Sequence, residues 1–244
     1  AYIASVKESV DYAHSKGVEI GGYNLMSSSR TVAAGGNCLG PDGKPNGASC
    51  LASDWSDDYF DTIKNFIDQT GFDMIETDGP YEGHTCASRN HSHHYGLEDS
   101  VWTQYERNMQ FYEWCRERGL YIHAPDPFYT RGINKDGMGY VETNWNLPLW
   151  EQITLARQNV YDGTWWKAPS QGWMFVPIDQ YHGGWPACCI EPVGFLAGQW
   201  EWYLFMYFGT GVSPCYRGKR LYDEAVPASK ALVQKYVSWH NKYR

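Results

Sequence analysis

The amino-acid sequence predicts an α/β fold: a (β/α)8 TIM-type barrel, incomplete at its N-terminus. Three observations carry this. Helical and strand periods alternate along the chain, as parallel βαβ units require. Several strands end in an acid, which is where a β/α barrel places its chemistry. No Gly-x-Gly-x-x-Gly follows any strand, which disfavours the open doubly wound sheet, the other architecture with this rhythm. About five to six strands are readable, against the eight of a closed barrel. Ala1 opens directly into a helical pattern of Ile3, Val6, Val10 and Ala13. The first strands are therefore expected to be missing, and the lack of a signal peptide says nothing about location. The 244 residues are expected to form a single catalytic domain.

The elements follow in order. A helix over about 2–16 stops at Lys16-Gly17, because glycine suits the left-handed residue after a helix. A strand over 18–25 leads into a long polar loop that runs to Ser53. Asp54 or Ser56 caps a helix whose apolar face is Tyr59, Ile63, Phe66 and Ile67, and Gly71 ends it. The next strand closes on Asp78 before Gly79-Pro80 breaks it. A polar loop to Asp99 precedes a helix over 100–118 with Val101, Tyr105, Met109, Tyr112 and Cys115 at helical spacing. Strands are expected over 120–124, 139–143, 173–178 and 212–216. Helices are expected over 148–161, begun by Pro148, over 193–208, and at the C-terminus, where Leu232, Tyr236, Trp239 and Tyr243 share a face.

Composition narrows the function. The net charge is −8 and no basic cluster offsets it, which argues against nucleic acid as a partner. No run of ~18 apolar residues suggests a membrane span. The chain carries 12 Trp, 19 Tyr and 9 Phe; such rings either fill a large core or stack on the apolar faces of sugars. Cys38 and Cys50 bracket a loop without an apolar core, so a disulfide between them is expected, and with it an oxidising, secreted or periplasmic location. No Cys-x-x-Cys occurs, which disfavours a zinc ribbon or a redox dithiol.

The acids Asp78, Asp126, Glu142 and Asp179 follow predicted strands. Acids at several strand tips of one barrel converge on one pocket, and two opposed carboxylates are what glycoside hydrolysis needs. For Asp126 and Asp179 a helix cap is an equal alternative. Asp78 is separated from the next helix by a long loop, which weakens that alternative. Phe72, Met74, Glu76 and Asp78 alternate onto one face of their strand. His84, His91, His93 and His94 lie in the loop after Asp78 and, with Asp78 and Glu82, offer ligands to zinc. The His-x-His-His spacing is weak for that purpose, and the preferred reading is a polar loop at a pocket mouth, with no metal and no cofactor. Arg131 and Arg217 also follow strands and could hold an anionic substituent, or form structural salt bridges.

The order of units, and Asp78 closing a strand in Met74-Ile75-Glu76-Thr77-Asp78-Gly79, resemble the α-galactosidase and α-N-acetylgalactosaminidase type of retaining glycoside hydrolases over about residues 18–216. In that superfamily an Asp ending the fourth barrel strand is the nucleophile. The acid/base comes from the sixth strand or, in distant relatives, the fifth. The resemblance implies Asp78 as nucleophile and Glu142, or Asp126, as acid/base. Glu142 is preferred because Thr143-Asn144-Trp145 beside it offers hydrogen bonds and a stacking surface. Glu76, Tyr81, His84, His123, Asn144, Trp145, Asp179, Trp185 and Arg217 are the candidates for holding a carbohydrate substrate. Glu76 stands where the family often has a Lys that contacts sugar hydroxyls, which loosens the expectation of a galactoside. The alternatives are a metal-dependent hydrolase that uses the His-rich loop, and a non-catalytic carbohydrate-binding barrel.

Overall fold

The computed structural model describes residues 1–26, 35–79, 83–124, 137–141, 173–175, 201, 204–205, 213–215 and 227–243. The chain divides into two compact units, Ala1–Met138 and Gly139–Arg244.

In the first unit, α1 (Tyr2–Ser15) is followed by β1 (Gly21–Leu25), the hairpin strands β2 (Asn37–Leu39) and β3 (Pro45–Ser49), α2 (Asp54–Thr70), β4 (Met74–Asp78), α3 (Leu97–Glu117) and β5 (Tyr121–Ala124). Strands β1, β4 and β5 pair in parallel, with β4 in the centre. Helix α2 lies between β1 and β4 in the chain and α3 between β4 and β5, so each parallel pair has its crossover helix. The glycine stops are where the sequence places them. Gly17, Gly71 and Gly119 all take positive φ, and the Gly71 N–H reaches the Ile67 carbonyl at 2.8 Å to close α2.

Burial divides β4 by strict alternation. Ile75 and Thr77 are buried, while Met74, Glu76 and Asp78 are half-buried. The buried face meets the helices. Ile75 and Ile122 pack with Phe60 and Ile67 of α2 and with Phe111, Tyr112 and Cys115 of α3. The Thr77 hydroxyl is 2.8 Å from that of Tyr112, and the Tyr59 hydroxyl donates to Asn24 Oδ1 at 2.5 Å. Burial pushes the Tyr59 phenol above its ordinary pKa, against that hydrogen bond, so it stays a donor. Trp55 and Trp114 pack against this core, and the Arg118 guanidinium lies 3.8 Å from the Trp114 ring centroid. These two tryptophans serve the core, the first of the two roles the aromatic content allows.

Three elements depart from the sequence reading. The loop before Ser53 contains a hairpin, turned by Gly40-Pro41-Asp42-Gly43, in which the Gly43 N–H meets the Gly40 carbonyl at 2.9 Å and Gly43 has φ 76°. Ser53 is the N-cap of α2, though its hydroxyl donates to the Cys50 carbonyl at 2.7 Å instead of capping. The most buried stripe of α3 is Ser100, Gln104, Asn108, Phe111, Tyr112 and Cys115; it includes the expected Tyr112 and Cys115, while the expected Tyr105 and Met109 are partly buried against the core. Two of its polar members, Gln104 and Ser100, satisfy backbone next door. Gln104 accepts from the Leu51 N–H at 3.2 Å and donates to the His84 carbonyl at 2.7 Å, and Ser100 accepts from the Cys86 N–H at 3.0 Å.

The strand expected from residue 18 begins at Gly21, because Ile20 is held by a side chain. Asp73 Oδ2 accepts from the Ile20 N–H at 2.9 Å and pairs with His14 Nε2 at 2.7 Å. Burial works to raise the Asp73 pKa, but the His14 and Ile20 hydrogen bonds outweigh it and hold the carboxyl below its usual range. The folded value is thus lower than the unfolded one of ~3.9. The contribution to stability is complete above the unfolded value and is lost as pH falls through the folded one. Replacing Asp73 by Asn is expected to cost about 1 kcal/mol at neutral pH and to remove part of the acid sensitivity, read by urea unfolding at neutral and acid pH.

In the second unit, β6 (Gly137–Val141), β7 (Trp173–Phe175) and β8 (Ser213–Cys215) pair in parallel, and α4 (Pro227–Tyr243) closes the chain. Leu204, Val233 and Tyr236 are buried there, and Glu201 pairs with Lys235. Among the described residues no helix is long and apolar enough to cross a membrane.

Candidate functional site

Asp78 is the last residue of the central strand β4. Its neighbours follow from register. Tyr23 of β1 and His123 of β5 stand level with Glu76, and Leu25 stands level with Asp78. In a parallel sheet, level residues point to the same side. Tyr23, Glu76 and Asp78 therefore share the face opposite the one covered by α2 and α3. Tyr23 is 56% exposed, and its hydroxyl donates a hydrogen bond to Asp78 Oδ2. Below Asp78 the strand is gripped on both sides. Above it, the Asp78 carbonyl accepts from the Met26 N–H at 3.0 Å, and the Met26 carbonyl accepts from the Ser49 hydroxyl at the end of β3. The backbone of Asp78 is thus fixed by β1 and, through Met26, by the hairpin. Gly79, at φ 82°, turns the chain away where a side chain would be strained.

This arrangement suits a carboxylate that must present one oxygen in a set direction. The phenol of Tyr23 limits rotation of the Asp78 carboxylate about Cβ–Cγ, and an edge-on donor costs nothing to reorganise when a substrate arrives. Tyr23 was not among the residues singled out from the sequence. Its signal was the alternation Gly21, Tyr23, Leu25, which in a parallel pair places Tyr23 beside the acid strand.

The other expected site residues divide. Glu76 lies on the Asp78 face, and His123 has the matching backbone position. His84 is held through its carbonyl, which accepts from Gln104. Tyr81, Asp126, Glu142, Asn144, Trp145, Asp179, Trp185 and Arg217 lie outside the described residues, as do Glu82, Arg131 and the helices expected over 148–161 and 193–208, apart from residues 201 and 204–205. Strand β6 ends at Val141, one residue before Glu142.

The expected Cys38–Cys50 disulfide is not formed. Both are free thiols, as is Cys86, and all three are fully buried in one cluster with Ala48 and Ala52. Hydrogen bonding with Cys50 and Cys86, added to burial, pushes the Cys38 thiol up, and Cys50 rises to about 12. The same sulfur contacts, joined by the N–H groups of Leu39 and Ser88, hold Cys86 low. Without the bridge, the argument for an oxidising location has no support among the described residues.

The histidines of the loop part company. His93 turns to Asp57, at 2.8 Å, which also binds Arg107. Burial works to raise the Asp57 pKa, yet His93 and Arg107 together hold it low. His91 and His94 turn to the thiols. None of the three joins Asp78 in a zinc set among the described residues.

No protein-family model matches the sequence, and no curated protein does. Among solved structures the chain is similar to the α-N-acetylgalactosaminidase NagBb from Bifidobacterium bifidum. The ligand-free form matches over 97% of this chain and 37% of that one, at 16% identity and TM-score 0.48. A quadruple mutant matches over 58% and 24%, at 18% identity and TM-score 0.39. The chain spans at most 37% of the enzyme it matches. The likeness is to a glycoside hydrolase, distant and partial.

Proposed function

We propose that the protein is a glycoside hydrolase acting by a two-carboxylate, retaining mechanism on a β/α barrel. The observation that carries this is Asp78: an acid at the C-terminal tip of the central strand of a parallel array, on the face away from the helices, oriented by the Tyr23 hydroxyl. In this reading Asp78 attacks the anomeric carbon. The bond to the leaving oxygen breaks as Glu142, or Asp126, gives that oxygen its proton. The same residue then takes a proton from water, the water oxygen bonds to the anomeric carbon, and Asp78 is released. Glu76 would accept hydrogen bonds from sugar hydroxyls, where a Lys would donate them. Any sugar hydroxyl can donate, so Glu76 changes hydroxyl recognition without selecting one ring, and the substrate class in this reading is an α-galactoside-like or related sugar. An extracytoplasmic location belongs to the same proposal.

The orienting role of Tyr23 has its own test. Tyr23→Phe removes one hydroxyl from an exposed side chain, so the fold should be unaffected. Turnover of an aryl glycoside is expected to fall by roughly ten- to a hundredfold in kcat with KM little changed, since the lost bond aims the nucleophile and does not bind the sugar. Unchanged kcat in an active enzyme would remove Tyr23 from the site.

A further inference from the structure

We propose that Cys50, Cys86, His91 and His94 form a structural zinc site that staples the β2–β3 hairpin to the loop leaving β4. One ligand atom from each of the four lies within 4.8 Å of every other. The separations match the edges of a coordination tetrahedron. Cys50 Sγ is 3.5 Å from His94 Nε2, Cys86 Sγ is 3.6 Å from His91 Nδ1, and the two imidazole nitrogens are 3.1 Å apart. Ligands ~2.3 Å (sulfur) and ~2.0 Å (nitrogen) from one ion, at the tetrahedral angle, stand ~3.5 Å apart for S–N and ~3.3 Å for N–N.

The chemistry fits as well as the geometry. Two thiolates and two neutral imidazoles around a divalent cation carry no net charge, which a buried site requires. Cys50, Cys86 and His94 are buried and His91 is half-buried. Sulfur and imidazole select zinc over calcium or magnesium, which want oxygen. Four protein ligands leave no open position, so the ion is structural and not catalytic. Cys38 stands outside the four-ligand set, beside the two sulfurs, and the Leu39 N–H donates to Cys86 Sγ at 3.3 Å. Such N–H···S bonds are the outer support that orients metal-bound thiolates.

The fold has a use for the ion. Among the described residues the apolar cluster here consists of the small side chains Cys38, Ala48, Cys50, Ala52 and Cys86. Small cores of this kind depend on a staple. The order along the chain, Cys86-x4-His91-x2-His94 with Cys50 far upstream, ties two separate segments. One of them carries Cys50 directly after Ser49, which reaches the Asp78 backbone through Met26. The inference does not rest on the hydrolase reading, since its readout is metal and not turnover.

The test is metal content of the full chain after zinc loading and dialysis, with cobalt(II) substitution as the spectroscopic probe. About one zinc per chain is expected, and cobalt should give tetrahedral d–d bands with a thiolate-to-cobalt charge-transfer band. Cys50→Ser and His94→Ala should lose both signals. His93→Ala, in the same His-rich run but turned to Asp57, should keep them. Should the ligand variants fail to fold, the wild-type cobalt spectrum still decides. The proposal is overturned by a wild-type chain that takes up neither metal with thiolate ligation, or by a disulfide between Cys50 and Cys86 found by mass. It is overturned too if the metal is lost from His93→Ala and kept in Cys50→Ser, which would move the ion to Asp54, Asp57 and His93.

Discussion

Asp78→Asn is expected to lower glycoside turnover by at least about 10³-fold while leaving folding and sugar binding intact. The amide is nearly the same size as the carboxylate and can still accept a hydrogen bond from the Tyr23 hydroxyl. The backbone of residue 78 is held by pairing with Leu25 and by the Met26 N–H, neither of which involves the side chain. The substitution therefore removes the nucleophile and almost nothing else. Binding measured by calorimetry against a non-hydrolysed sugar separates this from a loss of affinity. A variant that binds and still turns over would make Asp78 a structural acid, and the chain a hydrolase of another kind.

The second large effect is on stability. Phe111 is 1% exposed and lies at the meeting of α2 and α3, with ring centroids 5.1 Å from Phe60 and 6.3 Å from Trp114. Phe111→Ala is expected to cost about 3–5 kcal/mol, through lost transfer energy and the cavity left behind. Against a typical total of ~5–15 kcal/mol that is a large fraction. It should appear as a lower urea midpoint with little change in slope. Trp102, on the exposed side of the same helix at 62% exposure, should cost under ~0.5 kcal/mol when replaced by Ala. Equal effects at the two positions would mean that α3 faces the core by a different stripe.

That stripe is also where sequence reasoning met its limit. Periodicity found the helix, its end at Gly119 and, in Tyr112 and Cys115 with Tyr105 and Met109 packed against them, most of its apolar face, but not the polar part of the buried stripe. Apolar counting cannot see that Ser100 and Gln104 are buried to serve the backbone of Cys86, His84 and Leu51. Strand β4 and its acid were legible, because Gly71 and Gly79 punctuate it and alternation then decides which residues share the Asp78 face. The partner Tyr23 was legible only in its alternation with Gly21 and Leu25, since register between strands distant in sequence is a tertiary fact. The cysteines show the same limit more sharply. Cys38 and Cys50 bracket a loop that looks too poor to fold alone, and a disulfide is the usual remedy for one. The remedy here draws on Cys86 and two histidines from beyond β4, and no local spacing announces it. The Pro-Asp-Gly turn of the hairpin was legible in principle, as turn chemistry between two short strands.

The central claim is that Asp78 is a nucleophile, and trapping the covalent intermediate tests it most directly. The full chain, incubated with a 2-deoxy-2-fluoro glycosyl fluoride of the sugar it hydrolyses, should accumulate a glycosyl adduct. Peptide mass spectrometry should place the adduct on Asp78. An adduct on another carboxylate, or hydrolysis of the natural glycoside with inversion and no adduct, would contradict the account.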